Sequence, residues 1–272
     1  MKVAAVQMAP KVGDFSENTK FIEQAFIDSC KQGAKLVLFP ELALSGYTLD
    51  PEVLKLGAEL SRDFLQDLLK LSRELDCSAV LGLPRIISGK LRNSTAVVKK
   101  KRQILFYDKT HLFRAEKSIF EPGEDYLVFK FEDVSFGLLT CYEIGFPEIS
   151  RILALKGAQV ILASFAFGKE RVKIYDTATR ARAIENAAFL VASSTTGKGL
   201  MDFIGMSRIV HPSGEVMAQL EEGEGIILAD IDISQLHHYR YEEEGDSHAY
   251  FKNRKPHLYK ELCGEFKPEA KS

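Results

Sequence analysis

The stretch Gly137-Leu-Leu-Thr-Cys-Tyr-Glu-Ile-Gly-Phe-Pro-Glu148 joins a short apolar run to the start of a new helix. The apolar run predicts a buried strand, and Cys141 stands where that run ends. Pro147 favours the first turn of a helix, because proline loses nothing there by lacking an N–H. A cysteine at such a corner is a candidate nucleophile, since the helix N-terminus and the free backbone N–H groups favour a thiolate. The alternative is a cysteine that packs as a small hydrophobic residue.

Composition sets the bounds of the interpretation. The chain has 272 residues, of which 46% are hydrophobic, and this suits one α/β unit with a large core. A formal net charge of −2 gives no reason to expect nucleic acid or an anionic membrane as a partner. The sequence has neither an apolar run of membrane-spanning length nor a signal-peptide core at its start. Its four cysteines form no close pair, so we expect no zinc knuckle, no redox motif and a reducing cytoplasm.

Strand and helix signals alternate without a linker, which predicts one domain over residues 1–272. Helical periodicity predicts a helix that Asp14 or Ser16 caps and Gly33 closes, and another over Ser61–Asp76. Later helices are predicted over Pro147–Lys156 and Glu170–Asn186, and Ser234 can cap a short one. Strands are predicted at 3–8, 36–39, 79–83, 94–99, 103–107, 127–131, 135–140, 159–163, 189–193, 203–211, 216–220 and 226–231. Residues 241–272 are expected to form a tail on the body or on a partner subunit.

Two charged residues also follow apolar strands directly. Glu41 stands just beyond the 36–39 strand and beside apolar Leu42, where poor hydration would raise its pKa toward that of a useful base. The alternative is a turn carboxylate that accepts bonds from backbone N–H groups. Lys109 follows the 103–107 strand, and taken alone it would be a surface lysine. Because strand ends on one edge of a layered α/β fold converge, we expect Glu41, Lys109 and Cys141 to meet.

With these residues in place, the sequence resembles the nitrilase superfamily of carbon–nitrogen hydrolases. The resemblance covers nearly the whole chain, as an ordered series of blocks. The blocks are VAAVQMAP (3–10), FPELALSGY (39–47), YDKTHLF (107–113), FEPGED (120–125), GLLTCYEIGFPE (137–148), RARAIENAAFLVASS (180–194), HPSGEV (211–216) and NRKPHLY (253–259).

The resemblance implies a role for each residue. Glu41 would be the general base, Lys109 the oxyanion stabiliser and Cys141 the nucleophile. The family's frequent second glutamate aligns with Glu116, although Glu121 lies near enough to blur that alignment. The resemblance also implies a four-layer α-β-β-α sandwich without metal or organic cofactor. Such sandwiches form a homodimer or a larger homo-oligomer, for which the 147–156 and 170–186 helices and the tail are the candidate contacts.

The implied reaction is hydrolysis of a C–N bond through a cysteine thioester, with Tyr142 supplying a backbone N–H to the oxyanion. Tyr142 also resembles the amidase and carbamoylase branches, where true nitrilases tend to carry tryptophan. A small linear amide or ureido compound is therefore the expected substrate, with release of ammonia or an amine. Nitrile hydrolysis on the same site and a non-catalytic scaffold protein are the alternatives.

The substrate pocket is the least specified part. We expect Tyr47, Tyr142, Phe165 and Phe167 to surround the thiol, although phenylalanines at alternate positions equally suit a core. Gly145 departs from the family, which commonly has arginine there, and this puts the ion pairing behind the nucleophile in doubt.

Overall fold

The computed structural model describes residues 1–100 and 103–264, and within them two six-stranded sheets form the centre of the protein. In chain order the strands are β1 (Lys2–Gln7), β2 (Leu36–Leu38), β3 (Ser78–Ile87), β4 (Lys90–Lys99), β5 (Gln103–Asp108), β6 (Val128–Phe131), β7 (Val134–Thr140), β8 (Val160–Phe165), β9 (Phe189–Ser194), β10 (Thr196–Lys198), β11 (Asp202–Ile204), β12 (Ser207–Val210), β13 (Val216–Leu220) and β14 (Gly225–Asp230). The helices are α1 (Phe15–Lys31), α2 (Pro51–Glu74), α3 (Pro147–Leu155), α4 (Val172–Asn186) and α5 (Leu236–Tyr241).

The two sheets share one plan. The first runs β14-β1-β2-β3-β4-β5, and the second runs β13-β12-β9-β8-β7-β6, while β10 and β11 form a separate hairpin. Strands β1, β2 and β3 are parallel and are joined through α1 and α2. Strands β7, β8 and β9 are likewise parallel and are joined through α3 and α4. The carboxyl ends of the parallel strands therefore gather at one edge of each sheet.

Side-chain alternation along the strands separates three apolar layers. Val3 and Ala5 of β1 point between the two sheets, where they join residues of β8 such as Leu162. The intervening Ala4 and Val6 face the side covered by α1 and α2. Ile161 and Ala163 of β8 face α3 and α4 on the opposite side. The expected four-layer α-β-β-α sandwich is therefore confirmed.

Three local predictions were wrong. Helix α2 begins at Pro51, ten residues before the predicted start, because Asp50 caps it by accepting from the Glu52 N–H and proline suits the first turn. The predicted 203–211 strand is two strands, separated at Gly205 and Met206, which both have positive φ. The short helical segment after β14 is capped by Asp232, whose carboxylate accepts from the Ser234 N–H.

The described part of the C-terminal tail contacts the sandwich. The Phe251 ring of the tail lies under the guanidinium of Arg151 on α3, 5.3 Å from the ring centroid. Arg240, just before the tail, donates to the carbonyl oxygens of Ala158 and Ala187, at 2.7 and 3.1 Å. Its guanidinium also lies over the Phe251 ring, and Ala249 is fully buried. Residues 265–272 of the predicted tail lie outside the described residues, and the single-domain interpretation stays a prediction. Within residues 1–100 and 103–264, no helix combines the length and apolar character needed to cross a membrane.

Candidate active site

Cys141 lies at a sharp corner between β7 and α3. It is the first residue of a 3-10 turn over Cys141–Gly145, and α3 starts at Pro147. Its φ of +52° places a residue with a Cβ in the left-handed region. Such a conformation costs on the order of 1–3 kcal/mol and persists only where the surroundings enforce it. The thiol is almost fully buried at 5% exposure, so the corner holds Cys141 in one orientation under the surface.

Glu41 lies past the end of β2 and has no exposed surface. Its Oε1 accepts from Nδ2 of Asn93 at 2.8 Å and from Nζ of Lys109 at 2.7 Å. Its Oε2 accepts from the backbone N–H of Ala166 at 3.1 Å. These donors come from three separate strand ends, so the carboxylate is fixed from several sides.

Lys109 lies between two buried carboxylates. Besides Glu41, its Nζ contacts both oxygens of Glu116, at 3.0 and 2.9 Å. Glu116 in turn accepts from the Tyr47 hydroxyl at 2.7 Å and from the Phe113 N–H at 2.8 Å. Glu121 is exposed, so Glu116 is the glutamate that the fold brings to the site. Cys141 completes the convergence, because its thiol lies within hydrogen-bonding reach of the Glu41 carboxylate and near the Lys109 ammonium.

Burial governs the titration of these groups. Loss of hydration raises the pKa of Glu41, although the nearby Lys109 ammonium opposes this rise. Burial alone would lower the pKa of Lys109, but the charges of Glu41 and Glu116 outweigh it and hold that pKa above its usual range. Burial and the Glu41 charge raise the pKa of the Cys141 thiol well above its usual value. The resting arrangement is thus a protonated thiol beside a charged lysine and a carboxylate that can take up a proton.

Two contributors to the site were missed in the sequence. Asn93 of β4 orients Glu41, and the Ala166 N–H lies close to both the Glu41 carboxylate and the Cys141 sulfur. Asn93 stands just before the strand predicted at 94–99, and the observed β4 begins earlier, at Lys90, so this buried amide lies inside the strand and not at its predicted edge. The Ala166 N–H had no signal, because a backbone donor leaves no mark in a sequence.

The predicted pocket residues fall into two groups. Tyr47 bonds to Glu116, and Tyr142 packs against the Phe113 ring with centroids 5.0 Å apart. Tyr142 also lines a cavity of about 370 Å³ together with Thr110, His111, Leu112, Lys117, Pro122 and Phe146.

The two phenylalanines lie deeper. Phe165 and Phe167 are buried and pack edge-to-face on each other, and both contact Tyr175 of α4. They belong to the same apolar cluster as Cys141. Their position suits a core, and a direct role in lining the substrate stays a prediction.

Gly145 leaves open space behind the nucleophile. A Cβ placed there would meet no atom within 4 Å. Arg182 of α4 approaches instead, and its guanidinium donates to the carbonyl oxygens of Ile144 and Gly145 at 3.0 and 3.2 Å. The corner is therefore tied to α4 through its backbone, without an ion pair from position 145.

No group of three or more histidine, cysteine or acidic side chains within residues 1–100 and 103–264 is arranged to hold a metal ion. The polar groups around Cys141 are instead two carboxylates, one ammonium, one amide and backbone N–H groups. Such a set can bind, protonate and deprotonate a small polar group.

Comparison with known proteins agrees with this geometry. The family model described as carbon–nitrogen hydrolase matches residues 2–241. The chain belongs to this family, within the nitrilase superfamily. It is 34% identical over 238 residues to an (R)-stereoselective amidase of a Pseudomonas species, covering 87% of this chain and 86% of the relative. It is 35% identical over 272 residues to a protein named nitrilase from Pyrococcus abyssi, covering 95% and 99%.

A solved amidase of Nesterenkonia sp. AN1 has the same fold. That structure, a glutamate-to-glutamine mutant, superposes with a TM-score of 0.84 at 26% identity and covers 95% of each chain. In that structure the acetamide moiety of fluoroacetamide is added covalently at the active-site cysteine. This carbon–nitrogen hydrolase thus shares its fold with an amidase whose cysteine reacts with an amide reagent.

Gly82 provides a test of how the Glu41 loop is held. A Cβ on Gly82 would lie 2.3 Å from the Pro40 carbonyl oxygen and 2.6 Å from the Leu42 nitrogen. Gly82→Ala should therefore displace Glu41 and cost about 1–3 kcal/mol of stability through overpacking. The rate of C–N bond hydrolysis per folded molecule should fall tenfold or more, with the folded fraction determined by thermal unfolding.

Gly145→Ala is the matched control, since its new methyl group enters open space next to the same site. Equal activity in the two variants would show that close backbone packing at Gly82 does not position Glu41.

Proposed function

We propose that this carbon–nitrogen hydrolase cleaves the C–N bond of a small linear amide through a thioester on Cys141. The observation that carries the proposal is the buried Cys141 thiol beside the Glu41–Lys109–Glu116 ion cluster. An amide is a weak electrophile with a poor leaving group, and a covalent intermediate divides its hydrolysis into two easier steps.

Acylation begins with proton transfer from the thiol to Glu41. The sulfur attacks the amide carbon, and the oxygen gains negative charge between the Lys109 ammonium and the Tyr142 N–H. Glu41 then returns the proton to the nitrogen, which leaves as ammonia while the thioester forms. Burial raises the pKa of Glu41, and this suits both directions, because the carboxylate then takes up the thiol proton more readily and can pass the same proton to the leaving nitrogen.

Deacylation uses the same groups. A water molecule takes the place of the departed ammonia, and Glu41 removes its proton as the oxygen attacks the thioester carbon. The C–S bond breaks, the carboxylic acid is released, and the thiol regains its proton from Glu41. Glu116 holds the Lys109 ammonium toward the reacting oxygen throughout, because it bonds to that ammonium and to the Tyr47 hydroxyl.

The amide is favoured over other C–N substrates by two observations. One relative is named as an amidase, and the cysteine of the Nesterenkonia structure carries an acetamide moiety. The closely packed surroundings of Cys141, at 5% exposure, also favour a slender acyl chain. A relative named nitrilase makes nitriles the second candidate, and ureido compounds share the amide's planar carbonyl.

The deciding experiment measures ammonia release from matched compounds of equal chain length. Butyramide, butyronitrile and N-ethylurea represent the three classes, and we expect butyramide to be turned over with the highest kcat/KM. Cys141→Ala should abolish turnover, whereas Cys263→Ala, at an exposed cysteine, should not change it. Turnover of butyramide by Cys141→Ala at the wild-type rate would overturn the thioester mechanism.

Lys109 is tested separately from the nucleophile. Lys109→Met removes the proposed oxyanion partner, which should lower kcat on the order of 10²-fold or more. It also leaves two buried carboxylates without their cation, so a stability loss of about 3–5 kcal/mol is expected. The rate is therefore compared per folded molecule, at a temperature where thermal unfolding shows the variant to be native. Lys20→Met, at an exposed lysine of α1 away from the site, is the control, and equal rates in both variants would return Lys109 to a purely structural role.

We further infer a single domain that forms a homodimer through α3 and α4. Apolar side chains on these helices are exposed, with Leu155 at 48%, Ile174 at 52% and Ile184 at 36%. Such a run of exposed apolar groups is a typical subunit contact.

Ile174→Glu should convert the dimer to monomer in light scattering after size-exclusion chromatography, because it buries a charge in the contact. Leu60→Glu on α2, equally exposed but on the other side of the sandwich, should leave the mass unchanged. A monomeric wild type, or a dimer that persists in Ile174→Glu, would contradict this contact.

A further inference from the structure

Glu143 is a fully buried carboxylate two residues after Cys141. Its Oε1 accepts from the Thr110 N–H and the Thr110 hydroxyl, both at 2.7 Å, and from the His111 N–H at 3.2 Å. Its Oε2 accepts from the Thr140 N–H at 2.6 Å, and the Tyr107 hydroxyl lies 2.7 Å from both oxygens. Within residues 1–100 and 103–264, no lysine, arginine or histidine forms an ion pair with it, so its charge depends on these neutral donors.

The donors have a simple relation to the proposed catalytic residues. Tyr107 and Thr110 stand on either side of Lys109 in the chain, two residues before it and one after it. Thr140 immediately precedes Cys141. One carboxylate therefore joins the segment that carries the ammonium to the segment that carries the thiol. These segments belong to different sheets, since β5 ends the first sheet and β7 lies in the second.

This link matters because Lys109 and Cys141 follow strands of different sheets, so the distance between them depends on contacts that join the two segments. Charge-assisted hydrogen bonds are roughly twice as strong as neutral ones, and several on one buried group fix its neighbours closely. An error of about 1 Å in the placement of a reacting group can cost on the order of 10²-fold in rate.

We propose that Glu143 is a positioning residue that sets the distance between the Lys109 ammonium and the Cys141 thiol. It touches no reacting atom, and it acts through the backbone of Thr110 and Thr140 and through the Tyr107 hydroxyl. This inference rests on the proposed function, since it assigns Glu143 to the same reaction.

Glu143→Gln tests the proposal with little change in volume. The side-chain NH₂ group would face donors that now bond to a carboxylate oxygen, so one side of the link would be broken. The variant and the wild type are compared in a Cys30→Ala and Cys263→Ala background, after size-exclusion chromatography has isolated the folded protein. Their kcat and KM for butyramide are normalised to the number of thiols that iodoacetamide titrates in this folded protein. We expect kcat per titrated thiol to fall about 10- to 100-fold, with KM within about twofold.

A purely structural role would lower the amount of native protein but leave kcat per titrated thiol unchanged. Asp108→Asn is the matched control, because Asp108 is also a partly buried carboxylate at the end of β5 and bonds instead to Arg85 and Ser94. It should lower the unfolding temperature without lowering kcat. Glu143→Gln with wild-type kcat per titrated thiol would overturn the proposal.

A second variant, Tyr107→Phe, and the alkylation rate of Cys141 test the proposal independently of Glu143→Gln turnover. If Glu143→Gln does not fold, Tyr107→Phe removes only one donor hydroxyl, and it should lower kcat per titrated thiol about three- to tenfold, a fraction of the loss expected for the whole carboxylate. An unchanged kcat per titrated thiol in Tyr107→Phe would then overturn the proposal.

The rate of Cys141 alkylation by iodoacetamide gives a readout that needs no amide turnover. Displacement of Lys109 should move the midpoint of its pH profile upward, because a nearby positive charge stabilises the thiolate. If the wild type hydrolyses no amide, the proposed function fails, yet this midpoint still reports whether Glu143 positions Lys109. An identical alkylation profile in Glu143→Gln and wild type would exclude that.

Discussion

The site depends on one buried interaction, the contact of the Lys109 ammonium with the two carboxylates of Glu41 and Glu116. Removing three charges from water costs several kcal/mol per ion, and attraction offsets this only where the remaining lone pairs are satisfied. They are satisfied here by Asn93, by Tyr47 and by backbone N–H groups. Burial is the main cause of the raised pKa of Glu41; the Lys109 ammonium opposes the rise, and the Glu116 charge adds to it.

The sandwich brings this cluster to the thiol, because the groups of the site come from both sheets. Glu41 and Lys109 follow strands of the first sheet, whereas Cys141 and Ala166 follow strands of the second. The sheets are joined by the apolar layer between them, and near the site by the Ser164 hydroxyl, which donates to the Phe39 carbonyl oxygen. A change of sheet spacing would therefore separate the thiol from its proposed base. The geometry of the site therefore depends on the packing of the core between the sheets.

Much of this arrangement could be predicted from the sequence. Apolar runs that are followed by Glu41, Lys109 and Cys141 predicted both the strands and the edge where they meet. A charged side chain directly after a buried strand is costly unless it has a bonding partner, so Glu41 and Lys109 were expected to interact. The start of α2 was missed because its first turns carry little of the apolar stripe, although Asp50-Pro51 marked the cap. The roles of the Ala166 N–H and of the Arg182 guanidinium could not be predicted. In each contact one partner is a backbone group, an N–H in the first case and carbonyl oxygens in the second, and its position depends on the path of the chain.

Burial raises the pKa values of both Cys141 and Glu41, and this has a consequence for reactivity. A free thiolate at rest would be exposed to oxidation and alkylation, whereas a protonated thiol beside a poised base is nucleophilic only while a substrate accepts the charge. The negative charge then moves from the sulfur to the substrate oxygen, toward the Lys109 ammonium. It therefore stays among protein groups that already donate hydrogen bonds to the site. Because these donors are in place beforehand, little reorganisation is needed during the reaction. The left-handed φ of Cys141 has a similar effect. This backbone strain is introduced when the protein folds, and it holds the sulfur beside the cluster before substrate binds.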